Sequence, residues 1–233
     1  MRILIVGAGY VGTAFGKAAK DRGHHITVAS RTSEKIPQHL EWADDAFLWD
    51  RILPENIEGI LLTVAPRDQS YEETYLDNAK AVANAPYIVY TSSTSVYGDH
   101  QGKIVNEKTS PSPQNANQQI LLETEAILPP NKSAIFRLGE ITGPGKERRL
   151  PEIVSGNGDS ICNFSPLSLI IEALINAFES KKIGLFNLVS DDHPSRKQYY
   201  LKLAQSQGLK APLFDPTLKS AHSGNKLVTS IYS

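Results

Sequence analysis

The sequence predicts an α/β protein built on a doubly wound parallel sheet, with a smaller lobe toward the C-terminus. Two observations carry this. Short apolar runs of strand length recur along the chain, and most are separated by segments with helical spacing. The runs are apolar throughout rather than alternating, as in strands covered by helices on both faces.

The first run, Ile3 to Val6, ends at Gly7 and is followed by a helical pattern from Val11 to Asp21 that stops near Gly23. Further strands are expected at Ile26 to Ala29, Ile60 to Val64, Tyr87 to Tyr90, Ala134 to Leu138 and Leu185 to Val189. Helices are expected at Tyr71 to Ala85, Asn117 to Leu128 and Leu167 to Glu179. After Gly143-Pro144-Gly145 the alternation becomes less regular. A boundary is therefore placed between a core at 1–145 and a lobe at 146–233 that returns the strand Leu185 to Val189 to the main sheet.

Composition narrows the function classes. The chain has 233 residues, 40% of them hydrophobic and 21% charged, enough for a well-buried core. A formal net charge of −1 leaves no whole-chain field for nucleic acid or an anionic membrane, so an anionic ligand needs a local site. The lone Cys162 excludes an internal disulfide and reads as a buried or loop thiol; no zinc-type spacing occurs, and no metal site is expected. No stretch approaches the roughly 18 apolar residues of a membrane span. The expected location is the cytoplasm.

Gly7-Ala8-Gly9-Tyr10-Val11-Gly12 is a GxGxxG pattern between a strand and a helix, the setting in which it cradles a dinucleotide in a Rossmann fold. Gly7 permits the tight turn, Gly9 the approach of a pyrophosphate, and Gly12 close helix–strand packing. The amides opening the helix at Tyr10 and Val11 face the phosphates. The second strand ends at Ala29-Ser30-Arg31, about 20 residues beyond the glycines, where an NAD site usually places an acid. Here Arg31 stands beside that position, with hydroxyls at Ser30, Thr32 and Ser33. A guanidinium suits a 2′-phosphate, so NADP is expected ahead of NAD. Asp50, closing the third strand region, is assigned to the adenine end of the cofactor or to a turn.

Ser92-Ser93-Thr94-Ser95-Val96-Tyr97-Gly98 resembles the SSxxVYG segment of extended short-chain dehydrogenase/reductases, the NAD(P)-dependent epimerase/dehydratase-like group. Phe136-Arg137-Leu138 leading to Gly143-Pro144-Gly145, Val105-Asn106-Glu107, and Leu185 to Val189 match the same group, so the likeness spans nearly the whole chain. The resemblance implies that Ser93 hydrogen-bonds the reacting substrate oxygen. It also implies a small or nucleotide-linked carbonyl or alcohol substrate, and a homodimer as the family-like assembly.

Three departures stand against the pattern. Dehydratases of the group carry an acidic pair where this chain has Thr94 and Ser95, which disfavours a sugar dehydratase. Where the group places its YxxxK pair the chain has Asn115 and Gln119, and neither amide transfers a proton at neutral pH. His100, just after Tyr97-Gly98-Asp99, is the first replacement acid/base, with Tyr71, Tyr75 and Tyr97 as further candidates. Lys146, Arg148 and Arg149 are candidates for a substrate phosphate. Ser165-Pro166 replaces an acidic stretch and reads as an N-cap followed by a first-turn proline. Trp42 and Trp49 read as core or rim. These losses fit the atypical branch of the family, and two function classes follow. One is an NADP-dependent oxidoreductase or epimerase-like enzyme. The other is a non-catalytic NADP(H)-binding sensor or partner-binding module.

Overall fold

The computed structural model describes residues 1–64, 66, 72–218 and 224–232. The elements of the first half are β1 (Arg2–Val6), α1 (Tyr10–Asp21), β2 (His25–Ser30), α2 (Ile36–Leu40), β3 (Asp45–Leu48), β4 (Gly59–Leu62), α3 (Glu72–Val82), β5 (Ile88–Ser93), β6 (Ile104–Val105) and α4 (Ala116–Ile127). There follow β7 (Ser133–Leu138), β8 (Glu140–Thr142), β9 (Ile153–Ser155), β10 (Phe164–Pro166), α5 (Leu167–Ser180), β11 (Gly184–Leu188), α6 (Arg196–Gln207), β12 (Leu213–Asp215) and β13 (Leu227–Val228).

The main sheet has the order β11-β7-β5-β4-β1-β2-β3. Its central strands pair in parallel, with Ile5 opposite Val28 on one side and Leu61 on the other. The winding starts at β1, runs outward to β3, then crosses back to β4. The strand order thus reverses beside the C-terminal end of β1, the place where ligands bind in open α/β sheets. The six apolar runs are all strands of this sheet, as expected of a doubly wound Rossmann fold.

The chain divides into two compact units that interleave in sequence. One comprises Met1–Ser93, Asn115–Arg137 and Ser168–Phe186; the other comprises Thr94–Gln114, Leu138–Leu167 and the chain from Asn187. In the first unit Ile3, Leu4 and Ile5 are fully buried, and α1 turns Val11, Phe15 and Ala19 to the core at helical spacing. Phe15 meets the Phe178 ring of α5 at 5.2 Å, and Tyr87 meets the same ring edge-on at 5.6 Å. The Tyr87 hydroxyl donates to the carbonyls of Ala177 and Lys182, both at 2.7 Å. Trp42 is packed so closely that a Cβ on Gly16 would lie 2.2 Å from its ring.

The second unit carries three short parallel pairs, β8 with β10, β9 with β12, and β6 with β13. Tyr97, Val105 and Val228 form a buried apolar cluster there, with Val189 against it. Ser165 corrects an expectation. It lies in β10 rather than capping α5, fully buried, and its hydroxyl accepts from the Gly139 amide at 2.7 Å and donates to the Leu188 carbonyl. Helix α6 opens with a capping box between Ser195 and Gln198 and closes on Gly208 in the left-handed conformation, φ 64°. Among the described residues no helix is long and apolar enough to cross a membrane.

Candidate functional site

The glycine turn leaves β1 at the point where the strand order reverses. Gly7 has φ +106°, and a Cβ there would lie 2.7 Å from the Thr63 carbonyl carbon at the end of β4, so only glycine fits. A Cβ on Gly12 would sit 2.4 Å from the Gly7 carbonyl oxygen, which keeps the first turn of α1 against the loop. Gly9 differs from both. It is the N-cap of α1, no side chain caps the helix, the first turn holds no acid, and a Cβ built on Gly9 meets nothing within 4 Å. Tyr10 and Val11 open the helix behind it. Open space in front of an uncapped helix N-terminus, with tight packing behind, fits a dinucleotide pyrophosphate.

At the end of β2, Ser30 is buried and its hydroxyl donates to the Thr32 carbonyl at 2.8 Å, which shapes the turn. Arg31 is exposed immediately after it, and no acid lies between Ala29 and Ser33. Asp50 is exposed, and its carboxylate accepts from the Ile52 amide at 3.0 Å, closing a local turn.

The end of β5 is a polar network. Tyr75 donates to the Val64 carbonyl at 2.7 Å and lies 3.0 Å from the Tyr90 hydroxyl; burial pushes both phenols above their ordinary range, so neither is an acid/base near neutrality. Ser92 donates at 2.6 Å to Glu125 of α4, and Arg137 of β7 grips the same carboxylate through Nε at 3.0 Å and Nη2 at 2.6 Å. Strand alternation places Ser93 on the face opposite Ser92. Glu125 escaped the sequence reading, although it follows Leu121 by one helical turn on the core-facing stripe of α4. Asn115 and Gln119 have local work: Asn115 caps α4, accepting from the Gln118 amide at 3.0 Å, and Gln119 donates to Glu123 at 3.0 Å.

In the second unit Tyr97 is fully buried and donates to Asn187 at 2.9 Å, a packing role. His100 follows on the same loop. Its amide donates to the Asn225 carbonyl at 3.1 Å, while its ring Nε2 is buried with no hydrogen-bond partner among the described residues. Asp99 accepts from the amides of Gln101 and Asn225, both at 2.9 Å, bonds that hold its carboxyl below the usual range. Lys226, also missed by sequence reading, is buried beside this loop, and burial lowers its ammonium pKa. Arg148 is engaged by Glu140 and by the Tyr200 hydroxyl at 2.7 Å, which leaves it poorly placed for a phosphate. Burial pushes the Cys162 thiol up to about 11, so it is inert near neutrality. Tyr71 lies outside the described residues.

No protein-family model matches the chain. Protein YeeZ of Escherichia coli K12 is 28% identical over 244 residues, an alignment covering 94% of this chain and 88% of YeeZ. Among solved structures, a conserved protein of unknown function from Silicibacter pomeroyi superimposes with a TM-score of 0.81 at 23% identity, over 98% of this chain and 88% of that one. The UDP-glucuronic acid 4-epimerase of Bacillus cereus, in complex with UDP-glucuronic acid and NAD, gives 0.79 at 21% identity over 100% and 91%. Human epimerase family protein SDR39U1 with NADPH gives 0.78 at 18% over 98% and 90%. The chain therefore has the NAD(P)-binding fold of the epimerase- and reductase-type short-chain dehydrogenase/reductases, the group that its glycine turn and SSxxVYG segment resemble.

Proposed function

We propose that this chain is an NADP(H)-dependent oxidoreductase or epimerase-like enzyme acting on a small or nucleotide-linked carbonyl or alcohol substrate. The observation that carries the reading is the open space at Gly9, in front of an uncapped helix N-terminus and between two glycines that tolerate no side chain. The fold neighbours include proteins in complex with NAD, NADPH and a UDP-sugar acid, which supports the cofactor class and the kind of substrate.

Preference for NADP(H) rests on Arg31, exposed immediately after β2 beside the position where an NAD site usually places an acid. Arg31→Ala is expected to weaken NADPH binding roughly ten- to a hundredfold while leaving NADH nearly unchanged, since one charge-assisted contact is worth about 1.5–3 kcal/mol. Isothermal titration calorimetry with both cofactors measures this. Equal affinities in the unaltered protein would remove the argument.

When bound, the nicotinamide supplies or takes up the hydride. In this reading Ser93 holds the reacting substrate oxygen and His100 exchanges its proton through Nε2, the ring nitrogen that has no hydrogen-bond partner among the described residues. The amides of Asn115 and Gln119 take no part. Ser93→Ala and His100→Asn are each expected to lower kcat/KM for NADPH-dependent reduction by about a hundredfold or more, across a panel of carbonyl and nucleotide-sugar substrates. Turnover untouched by both changes would refute these roles.

The second reading, a non-catalytic NADP(H) sensor, is favoured by the local commitments of Asn115 and Gln119. Tight cofactor binding with no turnover on the whole panel would select it.

A further inference from the structure

We propose that Lys226, brought back by the C-terminal segment, is the positioning residue of the loop that carries His100, standing in as a buried cation in a chain whose YxxxK position holds none. The inference rests on the catalytic reading of His100 and deepens it.

Residues 224–227 fasten the loop from Gly98 to Lys103 at several points. The Asn225 carbonyl accepts two loop amides, His100 at 3.1 Å and Gly102 at 2.9 Å. The Asn225 amide donates to the Asp99 carboxylate at 2.9 Å. Lys226, 5% exposed, donates from Nζ to the Gly98 carbonyl at 2.9 Å, and Leu227 donates to the Lys103 carbonyl at 3.1 Å. Gly224 passes so near that a Cβ on it would lie 2.4 Å from the Gly98 oxygen and 2.5 Å from Asp99 Cα. The segment is anchored in turn through Asn163, whose side chain donates to the Lys226 carbonyl at 2.9 Å and accepts from the Val228 amide at 2.8 Å.

The burial of Nζ matters most. An ammonium removed from water requires compensation, and here a backbone carbonyl and the nearby Asp99 carboxylate provide it. Among the described residues the His100 ring has no hydrogen-bond partner at Nε2, and the backbone that carries the ring is held by this segment. A cation fixing the carbonyl two residues ahead of His100 thus orients the ring without touching a substrate.

The test is Lys226→Met, which keeps chain length and removes the charge, with Lys226→Arg returning a cation. Amide hydrogen exchange is read at His100 and Gly102, with Ile5 and Val28 of the central sheet as internal references, and the ring nitrogens of His100 are followed by ¹⁵N NMR. In Lys226→Met, exchange at His100 and Gly102 is expected to rise about ten- to a hundredfold with the references unmoved, and the His100 ring signals to shift. Lys226→Arg is expected to restore both at least in part. Unchanged exchange and ring signals in folded Lys226→Met would overturn the assignment, as would failure of Lys226→Arg to restore either. If Lys226→Met does not fold, the unaltered protein answers instead. A slowly exchanging Lys226 ammonium signal, with NOE contacts to Gly98 and Asp99, is expected, and a freely exchanging one overturns the proposal. Failure of the catalytic reading shows separately, as His100→Asn without effect on turnover.

Discussion

Gly9→Val is expected to abolish binding of a nicotinamide dinucleotide while leaving thermal unfolding almost unchanged. Gly9 has φ −85°, outside the left-handed region that favours glycine. Its Cβ points into open space, so nothing in the protein resists the substitution. The isopropyl group would instead fill the approach to the first-turn amides of α1, and a pyrophosphate held off by one side chain loses several charge-assisted bonds together. The loss should be at least about a hundredfold in Kd. Gly12→Val supplies the contrast. A side chain there meets the Gly7 carbonyl oxygen at 2.4 Å, and the variant should lose stability as well as binding. Calorimetric titration paired with a melting curve separates the two, and a folded Gly9→Val that binds within about tenfold of the unaltered protein would sink the phosphate-cradle reading.

The largest loss of stability is expected from Glu125→Ala. The Arg137 side chain is 4% exposed and that of Glu125 is 10% exposed, with two guanidinium nitrogens on the carboxylate. Arginine cannot shed its proton to escape burial, so removing the carboxylate leaves a desolvated cation without its counter-charge. A loss of about 3–5 kcal/mol is expected, read as a lower denaturation midpoint at constant m-value. The double variant Glu125→Leu with Arg137→Met should recover much of it, because an apolar pair of similar volume needs no compensation. A loss below about 1 kcal/mol in the single variant would show that the pair contributes no more than an exposed one.

Strands buried on both faces announce themselves as apolar runs, which is why β1, β2, β4, β5, β7 and β11 were legible in the sequence. The outer strand β3, Asp45–Leu48, was read only as a strand region closed by Asp50, without bounds, because its residues are half-buried or exposed and follow no single period. Helix α6 was missed for a related reason. Arg196–Gln207 is polar around most of its circumference, so the only signals lay at its ends, Ser195 with Gln198 and the closing Gly208. The glycine turn could be read because backbone geometry restricts its residue types so severely. Glu125 and Lys226 lay beyond that reach: each takes its meaning from partners far along the chain, Ser92 for one and Gly98 for the other. Ser165 shows the opposite error, a local helix-start signal overridden by tertiary bonds to Gly139 and Leu188.

The interleaving of the two units bears on how the chain can be made and cut. Residues 168–186 complete the first unit, yet they are synthesised after two of the second unit's three segments, and the Tyr87 hydroxyl waits for carbonyls at 177 and 182. The first unit therefore cannot close before residue 186 has been made, nor the second before the segment from Asn187 follows it, and sequence-distant contacts of this kind slow folding. A fragment ending near residue 145 would carry the whole glycine turn but lack α5 and β11. The phosphate cradle, although written in the first twelve residues, thus depends for its stable frame on chain that emerges more than 150 residues later.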